Sequence, residues 1–240
     1  MSITVAQTAG FCFGVRRALE LTQKSAADRP TCTLGELIHN RQVVEELAGQ
    51  GVAAIERPED APAGTAVVLR SHGVGPAVYA ALQAQGNPIV DATCPFVKRI
   101  HALAAEVPEN GSFWLAGRRE HPEVQGILGY CRGQAWVFSS VEEMQELLAN
   151  RPHDGNSPVI LAAQTTFSLR EWEKIIFFAK KVCTNLKVFD TICRATIERQ
   201  SEAKQLAQSA DAMVVVGGLH SANTTALAAL CSGYCPTVQV

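Results

Sequence analysis

Short apolar runs alternate with longer amphipathic stretches along the whole chain. The runs at residues 66–69, 88–90, 113–115, 159–161, 187–189 and 213–216 are mostly apolar without period-two alternation, the pattern of strands buried on both faces of a parallel sheet. Between them, the spacing of apolar positions predicts helices over 15–26, 42–50, 76–85, 141–150 and 169–181. Alternation of this kind predicts α/β architecture with helical crossovers between mainly parallel strands.

Two of these strands lead into near-identical turns. Residues 88–94 read Pro-Ile-Val-Asp-Ala-Thr-Cys and residues 187–193 read Lys-Val-Phe-Asp-Thr-Ile-Cys, each followed by a helix. The segment from Ile3 to Cys12 reads as a looser third copy: a strand, a turn, and a cysteine at the mouth of a helix. An internal repeat of this form divides the chain into an N-terminal strand and Cys12 turn (1–13), a first α/β domain (14–93), a second (94–192) and a third (193–240). The third is the shortest and is expected to be partial, with residues 237–240 reading as the start of a strand.

Composition narrows the function. The 240 residues are 47% hydrophobic and 18% charged, with a net charge of −2. Nucleic acid and anionic membrane surfaces attract basic proteins, so neither is an expected partner. Nothing approaches the ~20 consecutive apolar residues of a membrane span, and the start lacks the basic-then-apolar pattern of a secretory leader. A cytoplasmic location is expected. The eight cysteines then read as thiols or metal ligands rather than disulfides. Cys32, Cys131, Cys183, Cys231 and Cys235 are expected to be small core hydrophobes.

Cys12, Cys94 and Cys193 each follow a strand and open a helix, where a thiolate is favoured and where open α/β sheets place ligands. Three thiolates from three similar units suit an iron–sulfur cluster with one iron left open. Spacing alone leaves buried repeat cysteines as an equal reading, since no compact C-x-x-C pair is present. The loops around His39, His72, His121 and His220 share one form, an apolar strand, a polar or glycine-containing turn and a helix, which is the form of an anion site. The loops at Gln164-Thr165-Thr166 and at Cys12 are similar but lack histidine. His101 and His153 lie in no such turn and are expected to be structural. Asp91 and Asp190 are expected to cap the helices that follow them. Glu123 is different: a carboxylate two residues after His121 would repel an anion unless it handles protons, which makes it the general-acid candidate. The chain contains no G-x-S-x-G elbow, Walker A loop or dinucleotide-binding glycine fingerprint.

Seven motifs, in order, carry a resemblance. They are Ala9-Gly-Phe-Cys12-Phe-Gly-Val-Arg-Arg-Ala18, Gly35-Glu-Leu-Ile-His39-Asn40, Arg70-Ser-His72-Gly-Val74, Asp91-Ala-Thr-Cys94-Pro95, His121-Pro-Glu-Val-Gln-Gly126, Gln164-Thr165-Thr166 and Asp190-Thr-Ile-Cys193. Together they resemble the 4-hydroxy-3-methylbut-2-enyl diphosphate reductases, the terminal iron–sulfur enzymes of the methylerythritol phosphate route to isoprenoids. The resemblance implies a trefoil-like arrangement of three α/β domains around a central [4Fe-4S] cluster held by Cys12, Cys94 and Cys193. It implies reductive dehydroxylation of an allylic diphosphate to isopentenyl and dimethylallyl diphosphate, with electrons from a donor such as ferredoxin or flavodoxin. By the same match Glu123 supplies protons, Thr165 orients the hydroxymethyl group, and His121 joins the proton relay while touching the diphosphate. His39, His72, Thr166, Ser221 and Asn223 match the remaining diphosphate ligands. The chain departs from the family pattern at Ser221-Ala222-Asn223, where a second serine is usual, and in lacking the expected C-terminal stretch with its further serine. The competing reading is an iron–sulfur sensor or electron carrier that uses the same cysteines without turnover.

Overall fold

The computed structural model describes residues 2–38, 40–150, 156–219 and 221–240. In chain order its elements are α1 (Phe13–Asp28), β1 (Thr31–Leu34), α2 (Arg41–Gly49), β2 (Ala53–Ile55), β3 (Ala66–Leu69), α3 (Pro76–Ala84), β4 (Ile89–Asp91), α4 (Pro95–Ala105), β5 (Ser112–Ala116), α5 (Pro122–Leu128), β6 (Gln134–Phe138), α6 (Val141–Asn150), β7 (Val159–Ala163), α7 (Leu169–Val182), β8 (Leu186–Val188), α8 (Arg194–Ala207), β9 (Met213–Val215), α9 (Ala222–Ser232) and β10 (Thr237–Gln239). Local sequence explains many of the helix starts. Proline occupies the first helical position of α3, α4 and α5, where its missing N–H costs nothing. Ser168 caps α7 by accepting from the Glu171 N–H, and Lys180 and Lys181 suit the negative end of the same helix.

Every described strand pair is parallel, so the chain is α/β as its alternation predicts. The strands form three sheets, ordered β2-β1-β3-β4, β6-β5-β7-β8 and β10-β9. The first two orders are the same permutation, the topological counterpart of the repeated Asp-x-x-Cys segments. In each, the second strand of the unit lies on one side of the first and the third on the other. The crossovers therefore reverse direction between β1 and β3, and again between β5 and β7. Such reversals leave a crevice beyond the carboxyl ends of the two strands, where α/β proteins place ligands.

The core sits on both faces of the two larger sheets. Along β5, Trp114 and Ala116 pack with Trp136, Phe138 and Leu161, while Phe113 and Leu115 point the other way onto Ile100, Val124 and Ile127. The same alternation runs through β3, where Val68 meets Ala18 and Leu47 and Val67 meets Leu34 and Leu82. The β9-β10 sheet has a smaller core of Ala203, Ala207 and Cys231, with Val214 and Val238 exposed on its other face. Among the described residues no helix is long and apolar enough to cross a membrane.

Three sequence expectations need correction. The segment around Ile3 and Val5 is not a strand, and these side chains are 84% and 74% exposed. By analogy with the larger sheets it would need a third strand to pair with, and the described third sheet contains two. A strand without a ladder partner has no way to satisfy its backbone groups by pairing. Asp91 does not cap α4. That position belongs to Cys94, and Asp91 instead accepts from the Thr93 N–H and pairs with Lys98. Asp190 likewise stands three residues before the cap of α8, which is Cys193. Of the five cysteines expected in the core, Cys32, Cys183 and Cys231 are buried, but Cys131 and Cys235 are only partly so.

Trp114 stacks on Trp136 at 5.7 Å between ring centroids and is fully buried. Trp114→Ala is expected to lower the unfolding free energy by about 3–5 kcal/mol. The fall should appear as an earlier thermal transition by near-ultraviolet circular dichroism. An unchanged transition would mean that this core does not limit stability.

Candidate active site

Cys12, Cys94 and Cys193 occupy the N-cap positions of α1, α4 and α8, and none of their side chains caps its own helix. Gly14 brings two of them together. A Cβ placed there would lie 2.8 Å from the Cys94 Sγ and 3.9 Å from the Cys12 Sγ, so both sulfurs crowd the first turn of α1. Burial pushes the Cys94 thiol up; the N–H groups of Phe96 and Val97 oppose this, and the Cys12 and Cys193 thiols add to it. All three thiols thus share one neighbourhood. Among the described residues, no group of three His, Cys, Asp or Glu side chains is close enough to hold a single metal ion.

The backbone repeats around this point. Gly35 and Gly117 each donate an N–H to the carbonyl that ends the neighbouring strand, those of Ile55 and Phe138, and Gly217 donates to Val240, one residue past β10. Four residues past each glycine stand His39, His121 and Ser221, and Asn223 lies two further along from Ser221. His39 lies outside the described residues, as do His153 and His220. Two residues beyond the third strand of each larger sheet, Ser71 and Thr165 use their carbonyls to accept the N–H groups of Cys94 and Cys193, both at 3.0 Å. The next residues, His72 and Thr166, occupy matching positions. Candidate ligands thus sit at equivalent places in quasi-equivalent units.

The second sheet carries the acid. Glu123 is 2% exposed, and its two oxygens accept different bonds from one residue: Oε1 from the Thr165 N–H and Oε2 from the Thr165 hydroxyl, both at 2.7 Å. Burial raises its pKa to about 7 against those two stabilising bonds. A backbone N–H can only donate, so when the carboxyl is protonated on Oε2 the 2.7 Å contact reverses, with Oε2 donating to the Thr165 hydroxyl oxygen. His121, the N-cap of α5, accepts the Glu123 N–H at Nδ1 (3.1 Å). A neutral ring therefore carries its proton on Nε2. His72 reaches His121 edge to face, with centroids 5.3 Å apart. That contact between units depends on Gly126, where a Cβ would lie 3.3 Å from the backbone of Gly73.

The described contacts join His72, His121, Glu123 and Thr165 directly, and Thr165 to Cys193. Thr166 is tied in through Gln164, which donates to its hydroxyl (3.2 Å) and accepts from the Arg118 N–H (3.2 Å). Ser221 caps α9, its hydroxyl accepting from the N–H and the hydroxyl of Thr224. Asn223 lies two residues on, in the first turn of the same helix. His101 is structural as expected, buried and stacked on Tyr130 at 4.3 Å. Sequence reasoning quoted Gln164 in a motif but gave it no role, and gave none to Gly14 either. The signal for Gln164 was its place at a strand end beside two threonines. Gly14 had no local signal, because its reason is the sulfur of Cys94.

Three gathered thiols, donor-bearing strand ends and one buried acid define an α/β enzyme. A model of the family described as LytB protein matches residues 3–240, and the chain belongs to that family. It is 39% identical over 241 residues to the 4-hydroxy-3-methylbut-2-enyl diphosphate reductase of Caldanaerobacter subterraneus subsp. tengcongensis, covering 98% of this chain and 82% of that protein. It is 42% identical over 234 residues to the reductase of the same name from Syntrophotalea carbinolica, covering 96% and 81%. A solved (E)-4-hydroxy-3-methyl-but-2-enyl diphosphate reductase, described as the terminal enzyme of the non-mevalonate pathway, is similar at a TM-score of 0.73 and 35% identity, over 99% of this chain and 84% of that one. The E-1-hydroxy-2-methyl-but-2-enyl-4-diphosphate reductase of Plasmodium falciparum is similar at a TM-score of 0.90 and 26% identity, over 96% and 73%.

Two predictions come from this geometry. Gly14→Ala should leave the helix as stable or more so, since alanine is favoured over glycine in a helix by roughly 0.5–1 kcal/mol, while displacing the Cys94 sulfur. Thermal stability should hold while iron uptake under anaerobic reconstitution falls; undiminished uptake would show that the close approach is dispensable. The second concerns pH. Glu123 keeps its proton in the folded chain up to about 7, whereas the unfolded carboxyl loses it near 4.5. Between these values the folded state binds more protons, so the contribution of Glu123 is fully present below pH 4.5 and is lost as pH rises through 7. The unfolding free energy of the parent relative to Glu123→Gln should fall by on the order of 3 kcal/mol as pH rises across that window. A flat difference in chemical denaturation series would mean that the carboxyl ionises normally.

Proposed function

We propose that this chain catalyses the reductive dehydroxylation of (E)-4-hydroxy-3-methylbut-2-enyl diphosphate to isopentenyl diphosphate and dimethylallyl diphosphate, within the methylerythritol phosphate pathway. The observation that carries this reading is the double use of Thr165. Its N–H and hydroxyl bind the buried acid Glu123, and its carbonyl binds the N–H of Cys193. A proton source is thereby fixed next to a turn that presents a thiol. The reaction exchanges a C–O bond for a C–H bond, taking two electrons and two protons and releasing water, so it needs such an adjacency.

Cys12, Cys94 and Cys193 would hold a [4Fe-4S] cluster, one iron each. The fit rests on three thiols that each open a helix, two of them meeting at Gly14, with Cys94 near enough to the other two to feel them. When bound, the cluster supplies single electrons and an open iron that acts as a Lewis acid toward the substrate hydroxyl.

The remaining tasks fall to the chain itself. Glu123 holds a proton on Oε2, and the Thr165 hydroxyl passes it toward the departing oxygen or the allylic carbon. Thr165 also orients the hydroxymethyl group. His121 donates from Nε2 to the diphosphate, and His39, His72, Thr166, Ser221 and Asn223 complete its cage. Hydrogen bonds to a charged group are worth roughly 1.5–3 kcal/mol each, so neutral donors can replace phosphate hydration without a basic surface. The positive end of α9, where Ser221 and Asn223 sit, adds to the same field. The domain boundaries 14–93, 94–192 and 193–240, a ferredoxin- or flavodoxin-type electron donor, and a reducing cytoplasmic setting for eight unpaired cysteines belong to the same proposal.

The test is anaerobic reconstitution with iron and sulfide, followed by turnover with a chemical reductant. Cluster uptake with conversion of the diphosphate supports the reading, and uptake without conversion would assign a sensor or carrier instead. Glu123→Gln is expected to keep cluster and substrate binding while turnover falls by at least ~100-fold, the usual scale for losing a general acid. Parent-level turnover in that variant would remove Glu123 from the proton path.

A further inference from the structure

Two of the three cysteine turns are gripped by an arginine from the helix that a different cysteine opens. Arg17 lies on α1, the helix after Cys12. It donates through Nη1 to the carbonyl of Thr93 (3.2 Å) and through Nη2 to that of Asp91 (3.4 Å), in the turn that ends at Cys94. Arg199 lies on α8, the helix after Cys193. It donates through Nε to the carbonyl of Thr8 (3.1 Å) and through Nη2 to that of Gly10 (2.5 Å), in the turn that ends at Cys12. Glu202, one turn along α8, accepts from the N–H groups of Gln7 (2.6 Å) and Thr8 (2.9 Å) and from the Thr8 hydroxyl (2.5 Å). The segment before Cys12 has no strand pairing, so these bonds from α8 set its path.

The Cys193 turn is held differently. Arg99, placed in α4 as Arg17 is in α1, is exposed. The Thr191 hydroxyl instead bridges the backbone of Ala163, accepting its N–H at 2.8 Å and donating to its carbonyl at 2.6 Å. The Cys193 N–H meets the Thr165 carbonyl. The Cys193 turn is thus built into the second sheet. From it α8 fixes the Cys12 turn, and the helix after Cys12 ties in the Cys94 turn, which the first sheet also holds through the Ser71 carbonyl. Arginine suits the task because its planar fork reaches two carbonyls at once, which a lysine ammonium on a flexible stem does not reproduce.

We propose that Arg17 and Arg199 are positioning residues that set the spacing of the three thiols before any metal arrives, each tying the turn of one cysteine to the helix of another. The inference rests on Cys12, Cys94 and Cys193 being the ligand set. It makes a pairwise demand: loosening Arg17 frees Cys94 relative to both other thiols, and loosening Arg199 frees Cys12 relative to both others.

The test reacts the full chain, before cluster loading, with a short bis-maleimide and reads linked cysteine pairs by peptide mass mapping. Arg17→Lys is expected to lower the Cys12–Cys94 and Cys94–Cys193 links about fivefold, the equilibrium equivalent of losing one net hydrogen bond, while sparing Cys12–Cys193. Arg199→Lys should lower the two links to Cys12 and spare Cys94–Cys193. Arg194→Lys, in an exposed pair with Glu198, should change none. Should either lysine variant fail to fold, Arg17→Gln and Glu202→Gln test the same two turns. In reconstituted protein, iron release to a chelator should quicken about fivefold in the clamp variants, by the same reckoning. Parent-level linkage, or a uniform fall in all three pairs, overturns the proposal. A parent chain that takes up no iron and sulfide removes the cluster assignment, and the linkage pattern still decides the clamp.

Discussion

Thr165 is where the structure's two demands meet. Its carbonyl accepts the Cys193 N–H, and its N–H and hydroxyl both serve the buried carboxyl of Glu123. A carboxyl 2% exposed is costly unless bonded or protonated, and here it is both bonded and shifted toward protonation. The geometry of the acid is therefore inherited from backbone that also places a thiol. Moving β7 relative to β8 would disturb both at once, which is why the all-buried strand β7 matters to chemistry as well as to stability.

The repeated topology explains how one site acquires unlike parts. Parallel strands place all their carboxyl ends on the same edge of a sheet, and the reversal between the first and third strands opens that edge. The two larger units thus offer the same positions, a residue four past a glycine, a pair two and three past the third strand, and a cysteine opening the next helix, and the third unit repeats the first of these. Sequence then differentiates them. His121 and Ser221 share one position, Ser71 and Thr165 a second, His72 and Thr166 a third. Only the second unit adds a carboxylate, Glu123, where the third has Asn223. One backbone solution supplies the frame, and under the proposed reaction side-chain substitution would divide proton handling from anion binding.

What could be read from sequence was what is encoded locally. The runs in β3 and β7 are apolar because both faces are buried, and their positions were legible. The strand β1, with Thr-Cys-Thr-Leu, carries no such run, and β2, with Ala-Ala-Ile, is a short and mostly exposed one, so parallel pairing with neighbours decides them. Glu123 stood out as a carboxylate in an anion-type loop, but the use of Thr165 was visible only through resemblance. The supposed strand near Ile3 failed because a strand is a property of two segments, and its partner position is absent from the described sheet. Arg17, Arg199 and Glu202 left no mark, since they bind backbone groups of distant turns and no residue pattern records a carbonyl's location.

Under the proposed reaction, the elevated pKa of Glu123 does more than store a proton. An ionised carboxylate in a dry site beside a diphosphate would repel it, and the repulsion would act in a low-dielectric setting where it is strong. A carboxyl with a pKa of about 7 can meet the anion in its neutral form at little cost. The arriving negative charge then raises that pKa further, so binding favours the protonated acid. His121 adjoins the acid, because its Nδ1 accepts the Glu123 N–H. Substrate binding and proton loading are thus coupled through one carboxyl. The coupling needs no cationic side chain, in keeping with a chain whose net charge is −2.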